Sequence, residues 1–285
     1  MNQKVIDLFD RYTHGGMDRR KFLEKLAILA GSSSAALALL PLLENNYANA
    51  ELLPESDPSI KTENMTVASG GQDYSVYLSK PSAGEKFPAV LVVHENRGLN
   101  PHIKDVTRRV AAAGFLAAGV DFLSPAGGTP ADEDKARDLI GALDKAATEA
   151  AARDVVAALR SRPDSNGKVG AVGFCWGGGQ VNRLAVTDAT LDAGIAYYGM
   201  QPDVADVGKI KAPLMLHYAA KDDRINAGIA AYEAALKAEG KAYQLFIYPG
   251  VNHAFNNDTN AARYDKNAAD LAWSRSMAFL HETLG

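Results

Sequence analysis

Apolar positions in this chain fall into two patterns. Residues 87–94, Phe87-Pro-Ala-Val-Leu-Val-Val-His94, are almost continuously apolar, as expected of a strand covered on both faces. Residues 64–68 and 74–79 read as strands joined by a Gly70-Gly71 turn. Residues 115–121, 169–174, 193–198, 213–219 and 243–248 are further short β-branched or apolar runs. Between them apolar residues recur every three or four positions, which predicts helices over 101–113, 131–160 with a break near Gly141, 180–186, 225–238 and 261–284. Residues 124–130 are a Gly/Pro loop, and 52–61, with Pro54 and Pro58 among charges, read as a linker. Strands alternating with helices imply an α/β fold: a mostly parallel sheet with helices on both faces, and ligands bound beyond the carboxyl ends of the strands.

One stretch carries chemistry. In Lys168-Val-Gly-Ala-Val-Gly-Phe-Cys-Trp-Gly-Gly-Gly-Gln180 a β-branched run ends at Gly173, and helical spacing resumes after the glycines. The pattern G-x-C-x-G is a nucleophile elbow with Cys175 in the place of serine. Small residues at Gly173 and Gly177 let strand and helix approach, and the helix N-terminus favours the thiolate. The ordinary alternative is a buried cysteine that only packs. Cys175 is the one cysteine, so the chain has neither an intramolecular disulfide nor a multi-cysteine zinc site. No HExxH or clustered Cys/His spacing exists, so no metal or cofactor is expected.

A nucleophile of this kind needs a base and an orienting acid. Of six histidines, His253 follows the last predicted strand, where an elbow hydrolase places its base. His217 falls inside a strand, His281 in the last helix and His102 in the first turn of a helix; His94 ends a strand and His14 lies in the N-terminal segment. The acid should follow a strand between nucleophile and base, which selects Asp222, with Asp223 as the alternative; one of the pair would cap the next helix. The order Cys175, Asp222, His253 is nucleophile, acid, base. Two backbone amides, Trp176 and Asn96, are placed to form an oxyanion hole.

The chain has 285 residues, 47% hydrophobic and 22% charged, with a net charge of −4. That suits one globular domain and argues against a nucleic-acid partner. The first fifty residues differ. Asp18-Arg-Arg-Lys-Phe-Leu23 resembles a twin-arginine export signature, residues 26–43 carry no charge, and Ala48-Asn49-Ala50 has the form of a cleavage site. The expectation is a leader over 1–50, handed to the twin-arginine export machinery and removed, a linker over 51–62 and a domain over 63–285. The mature protein would be periplasmic, without a stable membrane span. The alternatives are a membrane anchor or an N-terminal helix docked on the domain. Met17 is a second candidate start.

The stretches His94-Glu-Asn-Arg-Gly-Leu-Asn-Pro-His102, Gly173-Phe-Cys-Trp-Gly-Gly178, Tyr197-Tyr-Gly199, Lys221-Asp222 and Gly250-Val-Asn-His-Ala-Phe255 together resemble the dienelactone hydrolase family, in particular its exported members. The resemblance implies an α/β-hydrolase fold without a large lid domain, and a Cys–His–Asp triad falling on Cys175, His253 and Asp222. It implies hydrolysis of carboxylic esters or lactones through an acyl-thioester. It also implies a carboxylate, here Glu95, that holds the resting thiol. Dienelactone-opening members grip the substrate carboxylate with an arginine four residues after the catalytic histidine. Here that position is Asn257, so Arg97 is the candidate for the charge, with Tyr198 and Asn257 beside it and Arg137 as a second arginine. A peptidase or amidase on the same scaffold, and a binding protein without catalysis, are the rival readings.

Overall fold

The computed structural model describes residues 1–47 and 51–285; the expected Ala48-Asn49-Ala50 cleavage site lies outside the described residues. Eight strands form one sheet: β1 (Ile60–Ser69), β2 (Gln72–Pro81), β3 (Phe87–Val93), β4 (Leu116–Val120), β5 (Ser165–Phe174), β6 (Ala193–Tyr197), β7 (Leu214–Lys221) and β8 (Tyr243–Asn252). Their spatial order is β1-β2-β4-β3-β5-β6-β7-β8. The first two strands form an antiparallel hairpin through the Gly70-Gly71 turn, and β2 runs antiparallel to β4. All remaining pairs are parallel, so β3 and β5 to β8 end on one rim.

Helices cover both faces. On one face α4 (Pro101–Ala112) and α10 (Lys266–Leu284) bury Ile103, Val106, Val110, Ala272 and Leu280 against Val90, Val92, Val172 and Ile195. On the other, α6 (Lys145–Arg160), α7 (Trp176–Thr187) and α9 (Ile229–Ala238) bury Val155, Leu159, Val181, Leu184, Tyr232 and Leu236 against Leu91, Val93, Ala171 and Leu216. The predicted break near Gly141 separates α5 (Glu133–Gly141) from α6, where Asp144 caps the new helix by accepting from Ala147 N–H.

Three boundaries depart from the sequence pattern. The predicted helix 225–238 divides into α8 (Asp223–Asn226) and α9. The side chain of Gln201 donates to the Ile225 carbonyl and lies where a Cβ at Gly228 would fall, so the first turn is closed off before the helix continues. The last helix starts at Lys266 rather than 261, because Asp265 accepts from Ala268 N–H and sets the cap there. Strand β8 runs on to Asn252 across a register shift between Ala219 and Lys221 in its neighbour.

The N-terminal segment is folded onto this domain. Helices α1 (Gln3–Thr13), α2 (Arg19–Ala30) and α3 (Ser33–Leu43) share an apolar cluster of Val5, Leu8, Phe9, Tyr12, Phe22, Leu26, Ala36 and Leu43. Among the described residues no single helix is long and apolar enough to cross a membrane; α2 and α3 meet that length and composition only jointly, across a 110° bend.

His217, inside β7, is fully buried between Tyr248 Oη (2.9 Å) and Ser276 Oγ (3.0 Å), and burial followed by the nearby Arg275 charge pulls its pKa down to about 3. The unfolded ring takes up a proton near pH 6.5, so stability falls as pH drops from about 6.5 towards 3. Urea unfolding across that range should show a loss of a few kcal/mol, and His217→Gln should flatten the slope. An equal slope in both proteins would remove His217 from the acid limb.

Candidate active site

The elbow forms as its glycines require. Cys175 sits at φ 54°, ψ −114°, outside the usual range for a side-chain-bearing residue. A Cβ on Gly173 would lie 2.2 Å from the Gly177 carbonyl oxygen, and one on Gly177 2.4 Å from that of Val93. Only three non-glycine residues have positive φ among the described residues: Cys175, Tyr198 (38°) and Ala254 (63°). They end β5, end β6 and follow His253, so the strained backbone collects at one rim of the sheet. Gly177→Ala should cost at least about 3 kcal/mol, since the obstruction is backbone and cannot rotate away. A thermal midpoint near that of the parent protein would show that β3 and α7 can part.

The rim assembles the predicted constellation. His253, in the loop ending β8, places Nδ1 2.5 Å from Asp222 Oδ2 at the end of β7. Asp222 also caps α8, accepting from Ile225 N–H at 3.4 Å, so one carboxylate does both jobs that the sequence divided between Asp222 and Asp223. The bond to Asp222 leaves Nε2 of His253 as the free nitrogen, and it is buried without a hydrogen-bond partner. The Cys175 sulfur, a ring nitrogen of His253 and one of His14 all lie within 4.8 Å of one another.

Electrostatics favour an ion pair at this point. Burial opposes a charge on Cys175, yet the His253 and His14 rings outweigh it and bring the thiol well below its usual range. Burial likewise disfavours a charged His253, but Asp222 and then the sulfur raise it well above an ordinary histidine. Asp222 is held below its normal value: the His253 charge and hydrogen bond outweigh burial.

Trp176 opens α7, where a first-turn amide has no acceptor within its helix. Its ring stacks on His94 at 5.1 Å between centroids. His94 itself is structural: Nδ1 faces the Glu95 carbonyl oxygen and Nε2 accepts from Phe122 N–H. Asn96 lines the cavity beside Cys175, and its side-chain amide donates to the Thr13 carbonyl at 2.7 Å. That cavity, about 850 Å³, is walled by Thr13, His14, Arg137, Trp176, Tyr198 and Met200 among others.

Of the other expected residues, Tyr198 and Arg137 line the large cavity, while Asn257 does not. Asn257 lines neither cavity beside Cys175: its Nδ2 donates to Glu95 Oε2 at 2.6 Å, and its Oδ1 accepts from Thr259. Glu95 is buried on a small cavity shared with Cys175 and His253, but its hydrogen bond goes to Asn257 and the sulfur's to His14. Arg97 is buried in that small cavity and faces Glu133 at 3.4 Å. Arg137 reaches the large cavity while paired with Asp134 and Asp138 and stacked over Tyr12. Tyr198 stands on the large cavity with its ring 4.9 Å from that of His253.

Sequence reasoning missed His14. Its Nε2 is 3.3 Å from the sulfur across 161 residues of chain. No local spacing announces such a contact. The available signal was α1 itself, an amphipathic helix capped by Asn2 with Val5, Ile6, Leu8, Phe9 and Tyr12 on its buried face. The same trio of sulfur and two ring nitrogens is close enough to hold a metal ion. Asp222 adds a carboxylate to this trio through its hydrogen bond to His253 Nδ1.

A mostly parallel sheet with an elbow at the end of a central strand, and an acid and a histidine after later strands, defines an α/β-hydrolase fold. The dienelactone hydrolase family model matches residues 74–284, and the chain belongs to that family of carboxylic ester hydrolases. A second family model, YqhI-like, matches residues 1–31. Over 248 residues the chain is 32% identical to a "Putative carboxymethylenebutenolidase" of Saccharolobus solfataricus, covering 74% of this chain and 95% of that one. Over 107 residues it is 51% identical to "Putative hydrolase fragment YghX" of Escherichia coli, covering 36% of this chain and 92% of that fragment. The crystal structure of a "Putative Dienelactone Hydrolase" from Klebsiella pneumoniae superposes with a TM-score of 0.70 at 27% identity, covering 78% of this chain and 98% of the other.

Proposed function

We propose that this protein hydrolyses small carboxylic esters or lactones with Cys175 as nucleophile, His253 as proton carrier and Asp222 as its orienting acid. One observation carries the reading: Asp222, His253 and Cys175 stand side by side on the rim, with the acid 2.5 Å from the histidine and the histidine within 4.8 Å of the sulfur.

The chemistry follows from the arrangement. The thiolate sulfur bonds to the carbonyl carbon, and the displaced electron pair moves to the oxygen, which the Trp176 and Asn96 amides receive. The carbon–oxygen bond to the leaving group breaks as His253 gives it a proton. A water enters, His253 takes its proton, hydroxide adds to the thioester carbonyl, and the acid leaves as the thiolate re-forms. Asp222 keeps the ring in the tautomer whose Nε2 faces the sulfur and stabilises the imidazolium. Thiols suit leaving groups that are already good, so activated esters, enol esters and lactones are the expected substrates, and amides are poor ones.

A panel of aryl esters, simple lactones and a dienelactone, run beside fluorogenic peptides on the full chain, tests the proposal. Turnover confined to the oxygen esters and lactones is expected. Turnover of peptides alone would make it an amidase, and ligand binding without turnover of any of them would make it a binder.

A further inference from the structure

Nothing in the triad accounts for the second imidazole. His14 closes α1, and its Nδ1 lies 2.8 Å from the Asp10 carbonyl oxygen and 3.2 Å from Asp10 Oδ1. A carbonyl oxygen only accepts, so Nδ1 carries the proton and Nε2 is free to share the thiol proton of Cys175 at 3.3 Å. Asp10–His14 thus approaches the sulfur from one side as Asp222–His253 does from another, with the two rings edge-on at 4.7 Å. Resting on the thiol-hydrolase reading, we infer that segment 1–47 is a permanent wall of the active site and that His14 is a catalytic residue holding the Cys175 thiolate.

The attachment of the segment supports this. Its polar contacts converge on the loops that build the site. Thr13 accepts from Asn96, the oxyanion residue. Tyr12 and Arg19 both reach Asp134 on α5, and Tyr47 reaches Glu133 next to it. Asn260, buried, donates to the Leu43 carbonyl, and Asn46 N–H donates to the Thr259 carbonyl, so the far end is tied to the loop after His253. Arg19, first of the two arginines of the export-like signature, is therefore in use as a tether to Asp134 and Glu44. Removal of residues 1–50 would take away His14 and the acceptor of the Asn96 side chain together.

The step is a proton shared, with no change in atom count. At rest the proton of the Cys175 thiol lies on an imidazole, and the His14 N–H donates to the sulfur. When the sulfur bonds to the substrate carbonyl its charge is lost, and the His14 hydrogen bond is released. When the thioester is hydrolysed the charge returns and the bond re-forms. His14 thereby stabilises the leaving thiolate of deacylation as well as the attacking one of acylation.

The sulfur's proton affinity reports this directly, because Cys175 is the only cysteine and thiolate absorbance near 240 nm has one source. The charged and titratable groups around it are His14 and Asp10 from the N-terminal segment, Glu95 and Arg97 after β3, Tyr198 after β6, Asp222 after β7, and His253 and Arg263 after β8. His14→Ala and His14→Gln are compared with the parent full chain, in a metal chelator. The expected result for His14→Ala is an apparent thiolate pKa raised by about one unit or more and kcat/KM for an aryl acetate lowered roughly 10- to 100-fold. His14→Gln, which keeps a donor but cannot carry the proton, should recover part of the loss. Thiolate titration and kcat/KM within twofold of the parent in both folded variants would overturn the assignment. So would an intact mass, for the enzyme isolated from its own cells, of a chain lacking residues 1–47. An unchanged thiolate titration on replacing His14, with Cys175→Ala inactive, would defeat the His14 assignment alone; a fully active Cys175→Ala would defeat the thiol mechanism beneath it.

Discussion

Replacing Cys175 by alanine is expected to abolish hydrolysis of p-nitrophenyl acetate, with kcat falling by about 10⁴-fold or more. The side chain is short and 8% exposed, its neighbours are held by backbone contacts, and alanine accepts the same elbow conformation no worse than cysteine. The variant should therefore fold, with a thermal midpoint close to that of the parent, while the reaction loses the atom that forms the covalent bond. What remains would come from the Trp176 and Asn96 amides and from cavity binding. Parent-like rates in Cys175→Ala would mean that another group attacks the ester.

Asp222→Asn should separate orientation from packing. An asparagine side chain caps a helix about as well as aspartate, so the bond to Ile225 N–H and the start of α8 should persist. The charge facing His253 Nδ1 would be gone, and with it the force that fixes the tautomer and raises the ring's pKa. A fall in kcat of about 10⁴-fold with a near-unchanged melting temperature is expected. With the ring's pKa lowered, hydrolysis of the acyl-thioester, the step that needs a neutral His253, should also hold to lower pH than in the parent. A matching fall in stability and rate would instead make Asp222 a structural cap. Asp223, exposed in the first turn of α8, serves as the control, and Asp223→Asn should leave both quantities unchanged.

Much of this site could be read from the chain because its parts obey local rules. The elbow needs small residues on both sides of Cys175, and the glycines that supply them stand within four positions of it. Asp222 and His253 were found by the order in which strands end, which the apolar runs give away. What escaped was set by partners distant in sequence. The offset from His253 points Asn257 at substrate, yet its side chain is spent on Glu95, 162 residues away. The resemblance points Arg97 at substrate charge, yet it is buried opposite Glu133. His14 escapes because two arginines and an uncharged run near the N-terminus invite a leader reading. The capped amphipathic helix before them packs its apolar face in the folded chain.

The most direct test is to mix the full-length protein with p-nitrophenyl acetate, quench in acid within the first turnovers, and determine intact and peptide masses. The expected result is one added acetyl group, carried by the peptide containing Cys175 and lost on return to neutral pH at the steady-state rate. An adduct on a different residue, or parent-rate turnover in Cys175→Ala, would contradict the account.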